Sequence, residues 1–403
     1  MTAKLHGLDG LRGVAALMVF LYHCPWSINH LPPGDMPVSG RFFDGFDSGV
    51  GLFFALSAYL LSRPFWQQIV SQETPRGFER FALRRCARIL PAYWIAVIIT
   101  LFPDPRTWTL WGQVNLFAHV SGLQTHLEVN HLWLINNVLW TVSIEIQFYA
   151  ILATCFWLAS RFRSLRVSSG LPLSLFFVLV FMGAGPLYQQ AVTNLGPHLP
   201  TTVWGDGAPS AAVRSWSIAY FLKWFLPSIL VSWFEVLWME RGKSMGSVRT
   251  TNALFLLVMI ASATFVLIPA EGEWRQVALV GWPLGAFTFA LLLPLVHRST
   301  LAHWMLENPI ARFFGTISFG LYLWHYPILK AIGKGRLADM PPGFARLIIG
   351  SAVGLGATIG VAWISYVLIE RPAMAAARQH ATFGRLITAV RETFFTMRSK
   401  LPA

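Results

Sequence analysis

Arg12 and His23 stand eleven residues apart in the stretch that runs from Leu8-Asp9-Gly10-Leu11-Arg12-Gly13 to Tyr22-His23. On a helix that spacing is almost three whole turns, so both side chains share one face, about 16 Å apart along the axis. A guanidinium suits a phosphate, and an imidazole, with an ordinary pKa near ~6.5, suits proton transfer. The competing explanation for His23 is a core histidine hydrogen-bonded to a neighbouring helix.

Three further stretches carry polar groups of the same kind. In Arg84-Arg85-Cys86-Ala87-Arg88-Ile89-Leu90-Pro91, Arg85 and Arg88 lie three apart and face the same way on a helix. Two such guanidinium groups could grip a phosphorylated carrier, or equally bind anionic lipid headgroups as a stop signal. In Trp140-Thr141-Val142-Ser143-Ile144-Glu145-Ile146-Gln147-Phe148-Tyr149, Glu145 sits inside an otherwise apolar run. A buried carboxylate there needs a cation or a proton, so Glu145 is read as a salt-bridge partner, an orienter of a histidine or a proton carrier. Glu235 is a weaker example, nearer the end of its run. In Ile317-Ser318-Phe319-Gly320-Leu321-Tyr322-Leu323-Trp324-His325-Tyr326-Pro327, a second histidine precedes a proline that frees a backbone carbonyl. Tyr322 and His325 are three apart on one face; belt packing accounts for the tryptophan and the tyrosines better than catalysis does.

The elements that must carry these residues are apolar. Of 403 residues 55% are hydrophobic, 14% aromatic and 12% charged, with a mean hydropathy of +0.53. A soluble domain carries roughly 25% charged residues, so this chain cannot cover a globular surface in water. The composition implies an all-α, polytopic membrane protein. It excludes a disordered chain, a collagen and a soluble two-domain enzyme. Runs of about 20 apolar residues predict about ten transmembrane helices, over 10–30, 48–66, 88–103, 138–160, 171–187, 216–239, 251–270, 276–297, 313–333 and 345–370. Arg12 and His23 inside the first run, and the lack of a small-residue cleavage site after it, argue against a cleaved signal peptide.

With the N-terminus placed in the cytoplasm, twenty lysines and arginines fall in inner segments, eight in outer loops and three within spans. That asymmetry predicts both termini inside and accounts for most of the net charge of +13 without nucleic acid. The segments 31–47 and 188–215, rich in Pro, Gly and Thr, read as irregular outer loops. The tail reads as a basic amphipathic helix along the inner leaflet, with Phe383, Leu386, Ile387 and Val390 on its apolar side. Gly350 with Gly354, and Gly356 with Gly360, read as close helix packing. Three scattered cysteines, and no Walker or H-E-x-x-H sequence, give no sign of a disulfide framework, a nucleotide loop or a metal site.

Taken in order, these stretches resemble the acyltransferase family 3 membrane proteins, the O-acyltransferases that modify bacterial surface glycans and antibiotics. The resemblance runs through Leu8–Gly13 with His23, Gly49-Val50-Gly51-Leu52-Phe53-Phe54-Ala55-Leu56-Ser57-Ala58-Tyr59-Leu60-Leu61, Arg85-x-x-Arg88-Ile89-Leu90-Pro91, Trp140–Tyr149, Ile317–Pro327 and Ile369-Glu370-Arg371-Pro372. It covers roughly residues 5 to 372, with Ala58 where the family usually has glycine. It implies a ten-helix acyltransferase domain over 1–372 and a cytoplasmic tail over 373–403, without the fused extracytoplasmic esterase-like domain that some relatives carry.

The resemblance further implies transfer of a short acyl group, most often acetyl, from acyl-CoA to a sugar hydroxyl. His23 matches the family's proposed catalytic histidine, Arg12 its upstream arginine, Arg85 and Arg88 the arginines thought to meet the donor, and Glu145 the motif glutamate. The expected catalytic set is therefore His23, Glu145 and Asp9, with Arg12, Arg85 and Arg88 on acyl-CoA. Ser143, Tyr322, His325 and Trp140 support or bind substrate. Acyl-CoA is a co-substrate, with no permanently bound cofactor and no metal. The expected partners are a carbohydrate or lipid-linked glycan and membrane lipids, with no nucleic acid. The expected place is the bacterial inner membrane. A macrolide or other small glycoside is the alternative acceptor. A proton-coupled transporter or flippase and a catalytically dead scaffold are alternatives from other classes. No inverted repeat or paired broken helix favours the transporter.

Overall fold

The structure is a computed structural model, and it describes residues 5–30, 43, 45–73, 78–126, 136, 138–162, 167–195, 217–243, 246–267, 284–380 and 384. Among the described residues there is no strand. The long helices are α1 (Leu8–Asn29), α2 (Ser48–Val70), α3 (Phe78–Leu101), α5 (Leu139–Arg161), α6 (Leu171–Leu195), α7 (Ile218–Glu240), α8 (Val248–Leu267), α11 (Pro309–Lys334) and α12 (Phe344–Ser365). Shorter ones are α4 (Leu110–Ser121), α9 (Leu284–Val296), α10 (Thr300–Leu306) and α13 (Arg371–Gln379). Their starts follow ordinary capping chemistry. Ser217, Ser299 and Asn308 each lend a side-chain oxygen to a backbone N–H three residues on, and Pro309 follows the last of these at N1.

Among the described residues seven helices are long and apolar enough to cross a membrane, or eight if the pair α9–α10, bent by 99°, is one span. Two more, α3 and α11, have the length, at 24 and 26 residues, but are less apolar. Packing direction bears on the count. Gly13 of α1 meets Gly315 of α11, where an added Cβ would stand 2.8 Å from the Gly315 nitrogen. Further along, Gly333 faces Ile28, with the same room for no side chain. The two helices therefore run parallel. Parallel neighbours need an odd number of crossings between them, and the seven apolar runs expected between these two from sequence meet that parity.

In a bilayer, helices associate through close packing rather than through exclusion from water. Phe148 of α5 stacks on Phe225 of α7 at 3.8 Å, and Trp66 meets Phe156 and Phe177 edge to face. Two expectations are corrected at the borders. The segment 188–215 does not begin as an irregular loop, because α6 continues through Pro186 to Leu195; polar residues at a helix end lower the mean hydropathy without stopping the helix. The third span begins ten residues before the apolar run, at Phe78, because its first turns carry Arg80, Arg84 and Arg85. The loop residues 31–42, the span residues 276–283 and the tail residues Phe383, Leu386, Ile387 and Val390 lie outside the described residues.

Candidate active site

The parallel packing of α1 and α11 brings two histidines together. Nδ1 of His325 lies 2.6 Å from the Tyr322 carbonyl and 3.3 Å from that of Leu321. Carbonyl oxygens only accept, so in the neutral ring this nitrogen holds the proton. Nε2 of His325 is then a lone pair, and it faces Nδ1 of His23 at 3.1 Å. Nδ1 of His23 also lies 2.9 Å from the Val19 carbonyl, so it is the protonated nitrogen of that ring. This assignment leaves Nε2 of His23 as a lone pair with no hydrogen bond among the described residues. Tyr22 and Tyr326 pack edge-on against the His23 ring, at 4.9 and 5.3 Å. His325 is fully buried, while His23 keeps 9% exposure.

Pro327 explains how this part of α11 is held. It has no N–H for the Leu323 carbonyl, and Nδ2 of Asn136 donates there instead, at 3.3 Å. Asn136 was not singled out from sequence, since a polar residue before a span carries no periodic signal.

A narrow slot of about 50 Å³ lies beside the histidine pair, toward the arginine end of the bundle. Arg12, Arg85 and Arg88 line it, together with Phe53, Phe54, Leu61, Thr141 and Tyr322. Glu145 lines it too and accepts hydrogen bonds from the hydroxyls of Ser57 and Tyr149. The slot stops short of His23. Tyr322 closes it, its hydroxyl bonded to that of Thr141 and its ring edge-on to Phe53 at 5.4 Å. On the other side the Tyr322 ring lies 5.8 Å from that of His325.

Not every residue marked from sequence joins this arrangement. Glu145 keeps company with the arginines rather than with His23. Asp9 pairs with Arg12 at 3.1 Å, but its side chain is 63% exposed and lies away from the histidines. The Ser143 hydroxyl turns outward to the Gly122 carbonyl, and Trp140 packs against Phe221. Tyr322 and His325 are both at the site. Ser57, Tyr149 and Thr141 are additions, and Tyr149 could have been found four residues after Glu145, on the same helix face. Among the described residues no three His, Cys, Asp or Glu side chains gather as a metal site would.

Arg85 and Arg88 also line a second hollow, of about 270 Å³, together with Arg84, Met374 and Arg378. Nε of Arg85 is buried without a hydrogen-bond partner. Arg85 borders both cavities, and its unpartnered nitrogen leaves the guanidinium short of an acceptor.

A family model described as an acyltransferase domain matches residues 5–367, nearly the whole chain. The chain belongs to the acyltransferase 3 family. Within it, the chain is similar to the peptidoglycan O-acetyltransferase OatA of Listeria monocytogenes, at 23% identity over 91% of this chain and 55% of that one. It is also similar to a candidate membrane-bound transacylase, BcsY, of Komagataeibacter xylinus, at 24% identity over 90% of this chain and 81% of that one. A candidate peptidoglycan O-acetyltransferase of Bacillus subtilis, YrhL, matches at 24% identity over 91% of this chain and 54% of its own. This acyltransferase 3 chain thus spans about half the length of OatA and YrhL. No solved structure matches it.

Proposed function

We propose that this chain transfers a short acyl group, acetyl first among them, from acyl-CoA to a hydroxyl of a cell-surface carbohydrate, with Nε2 of His23 as general base. One observation carries the reading: His23, its Nε2 bare, meets His325, whose ring lies 5.8 Å from that of Tyr322, a residue that lines the same slot as Arg85 and Arg88. The acceptor class is supported by the relatives named for peptidoglycan O-acetylation.

The excess of arginine and lysine in alternate loops supports placing the arginine end, and both termini, in the cytoplasm of a bacterial cell, where acyl-CoA is made. Donor phosphates then meet Arg85 and Arg88, and the thioester arm extends along the slot toward Tyr322. The acceptor hydroxyl arrives from the histidine end. As its oxygen attacks the thioester carbonyl, Nε2 of His23 takes its proton. The C–S bond breaks, and the imidazolium returns the proton to the departing thiolate, giving an ester and free CoA. His325 and the Val19 carbonyl hold Nδ1–H of His23, so that Nε2 faces the reaction. A positioned base supplies typically 10²–10⁴-fold, and the remainder comes from holding donor and hydroxyl together.

The test is thiol release from acetyl-CoA by the purified chain, with muropeptides and lipid-linked glycans as acceptors. Acceptor-dependent release is expected and should vanish in His23→Ala at an unchanged unfolding temperature. Wild-type turnover by that variant would remove His23 from the role. Absence of release with the wild-type chain would favour a transporter or scaffold.

A further inference from the structure

The hollow beyond the slot gathers positive charge that is offset only at a distance, by Glu145 near Arg85 and by Glu370 near Arg88. Arg84, Arg85, Arg88 and Arg378 surround it, and among the described residues none of the four makes an ion pair or a hydrogen bond. Like charges gathered in one hollow repel, and an anion relieves that repulsion. Arg84, Arg85 and Arg88 come from the first turns of α3. Arg378 comes from α13, which continues α12 through a single π turn at Tyr366–Glu370. The helix does not break at that turn, and Glu370 accepts a hydrogen bond from Ser365 across it at 3.2 Å. Arg378 is thereby carried on a rigid extension of a membrane helix to the rim of the α3 cluster.

Resting on the acyl-CoA reading above, we infer that this four-arginine cup binds the several phosphates of the donor, with Arg378 and Arg84 as binding residues in addition to Arg85 and Arg88. Three observations favour a multiply charged ligand. Four guanidinium groups exceed what one phosphodiester needs, whereas a diphosphate plus a phosphomonoester of about −1.5 to −2 matches them. Arg85 and Arg88 line both the cup and the slot, so a ligand held by its phosphates here can send an uncharged arm inward between them. Nε of Arg85, a residue that borders both spaces, is buried without a hydrogen-bond partner. Guanidinium groups grip phosphate oxygens in pairs, so several arginines on one ligand give orientation as well as affinity.

The same phosphate chemistry is offered by anionic lipid headgroups, and the experiment separates the two sources. The full chain is placed in phosphatidylcholine nanodiscs and titrated with CoA, with phosphatidylglycerol nanodiscs as the second arm. Arg378→Ala and, separately, Arg84→Ala are expected to raise the CoA Kd about tenfold in both lipids, at an unchanged unfolding temperature, with Arg378→Lys in between. An unchanged CoA Kd in Arg378→Ala and Arg84→Ala, together with less phosphatidylglycerol retained on the purified protein, assigns the cup to lipid. That result overturns the inference and leaves the acyl-CoA reading standing. A wild-type chain that binds no CoA in either lipid overturns both.

Discussion

Nε2 of His325 lies 3.1 Å from Nδ1 of His23, and the two residues are 302 positions apart in the chain. Because Nδ1 of His325 is committed to backbone carbonyls, its other nitrogen can only accept, and His23 is held in the tautomer that leaves Nε2 bare. His325 is therefore a positioning residue. His325→Ala should lower kcat for acceptor-dependent thiol release about tenfold to hundredfold, a part of what a general base supplies. The acyl-CoA KM should stay within twofold. In His325→Gln the side-chain amide oxygen can accept the same N–H, and this variant should recover part of the lost kcat. Equal losses in both variants, accompanied by lower unfolding temperatures, would reduce His325 to a packing role.

Glu145 separates donor binding from proton transfer. It lines the slot with Arg85 and accepts from Ser57 and Tyr149, and Tyr322 stands between this group and the histidines. Glu145→Gln keeps an accepting oxygen and removes a negative charge near the arginines. The expected result is a several-fold lower KM for acyl-CoA, with kcat retained to within about tenfold. A kcat loss as deep as that of His23→Ala would place Glu145 in the proton path instead.

The sequence reading reached the parts of this site that lie on one helix and missed those that depend on how helices meet. Arg12 and His23 are on α1, and their shared face follows from 3.6 residues per turn. The proline-freed carbonyl was equally local, since Pro327 names Leu323 as the group left open. The meeting of His23 with His325 depends on how α1 and α11 pack across 302 positions of chain, and no periodicity records that. Asp9 and Glu145 were both offered as partners for His23 because charge and burial were visible while direction was not. Arg378 lay in a stretch read only as basic tail, and its place beside Arg84 comes from a π turn with no sequence signature. The ten apolar runs were legible because bilayer thickness sets their length. α3 was read short because its charged first turns hide helix from any hydropathy window.

Glu235 should govern stability rather than turnover. Its side chain, 1% exposed, accepts from Arg63 at 2.7 Å, Arg298 at 2.5 Å and His297 at 3.0 Å, and from the Tyr59 hydroxyl. These contacts tie the α9–α10 bend to α2 and α7. Removing the carboxylate leaves buried cations without their partner, which costs about 3–5 kcal/mol. Glu235→Ala should therefore unfold at a markedly lower temperature in detergent, and Glu235→Gln, which can still accept, at an intermediate one. Thermal melts followed by intrinsic tryptophan fluorescence, with 18 tryptophans as reporters, would check the order. Wild-type melting of Glu235→Ala would show that the network contributes nothing to stability.

Tyr322 should act as the partition between donor and water. Its hydroxyl is tied to Thr141 and lies 3.2 Å from the Val138 carbonyl, while its ring faces Phe53 on one side and His325 on the other. A thioester that reaches His23 must pass this ring, and water from the histidine end must pass it in the opposite direction. Tyr322→Phe keeps the ring and removes the tether, at a stability cost of about 1 kcal/mol for the lost hydrogen bond. Tyr322→Ala removes the partition itself. With acceptor omitted, Tyr322→Ala should release thiol from acetyl-CoA faster than the wild-type chain, since water takes the place of the sugar hydroxyl at His23. Tyr322→Phe should hold the low background. Adding His23→Ala to Tyr322→Ala should abolish the excess, which ties it to the imidazole rather than to a general loosening of the bundle. A background in Tyr322→Ala no higher than in the wild-type chain would mean that water is excluded elsewhere and that the ring is only part of the packing around Phe53.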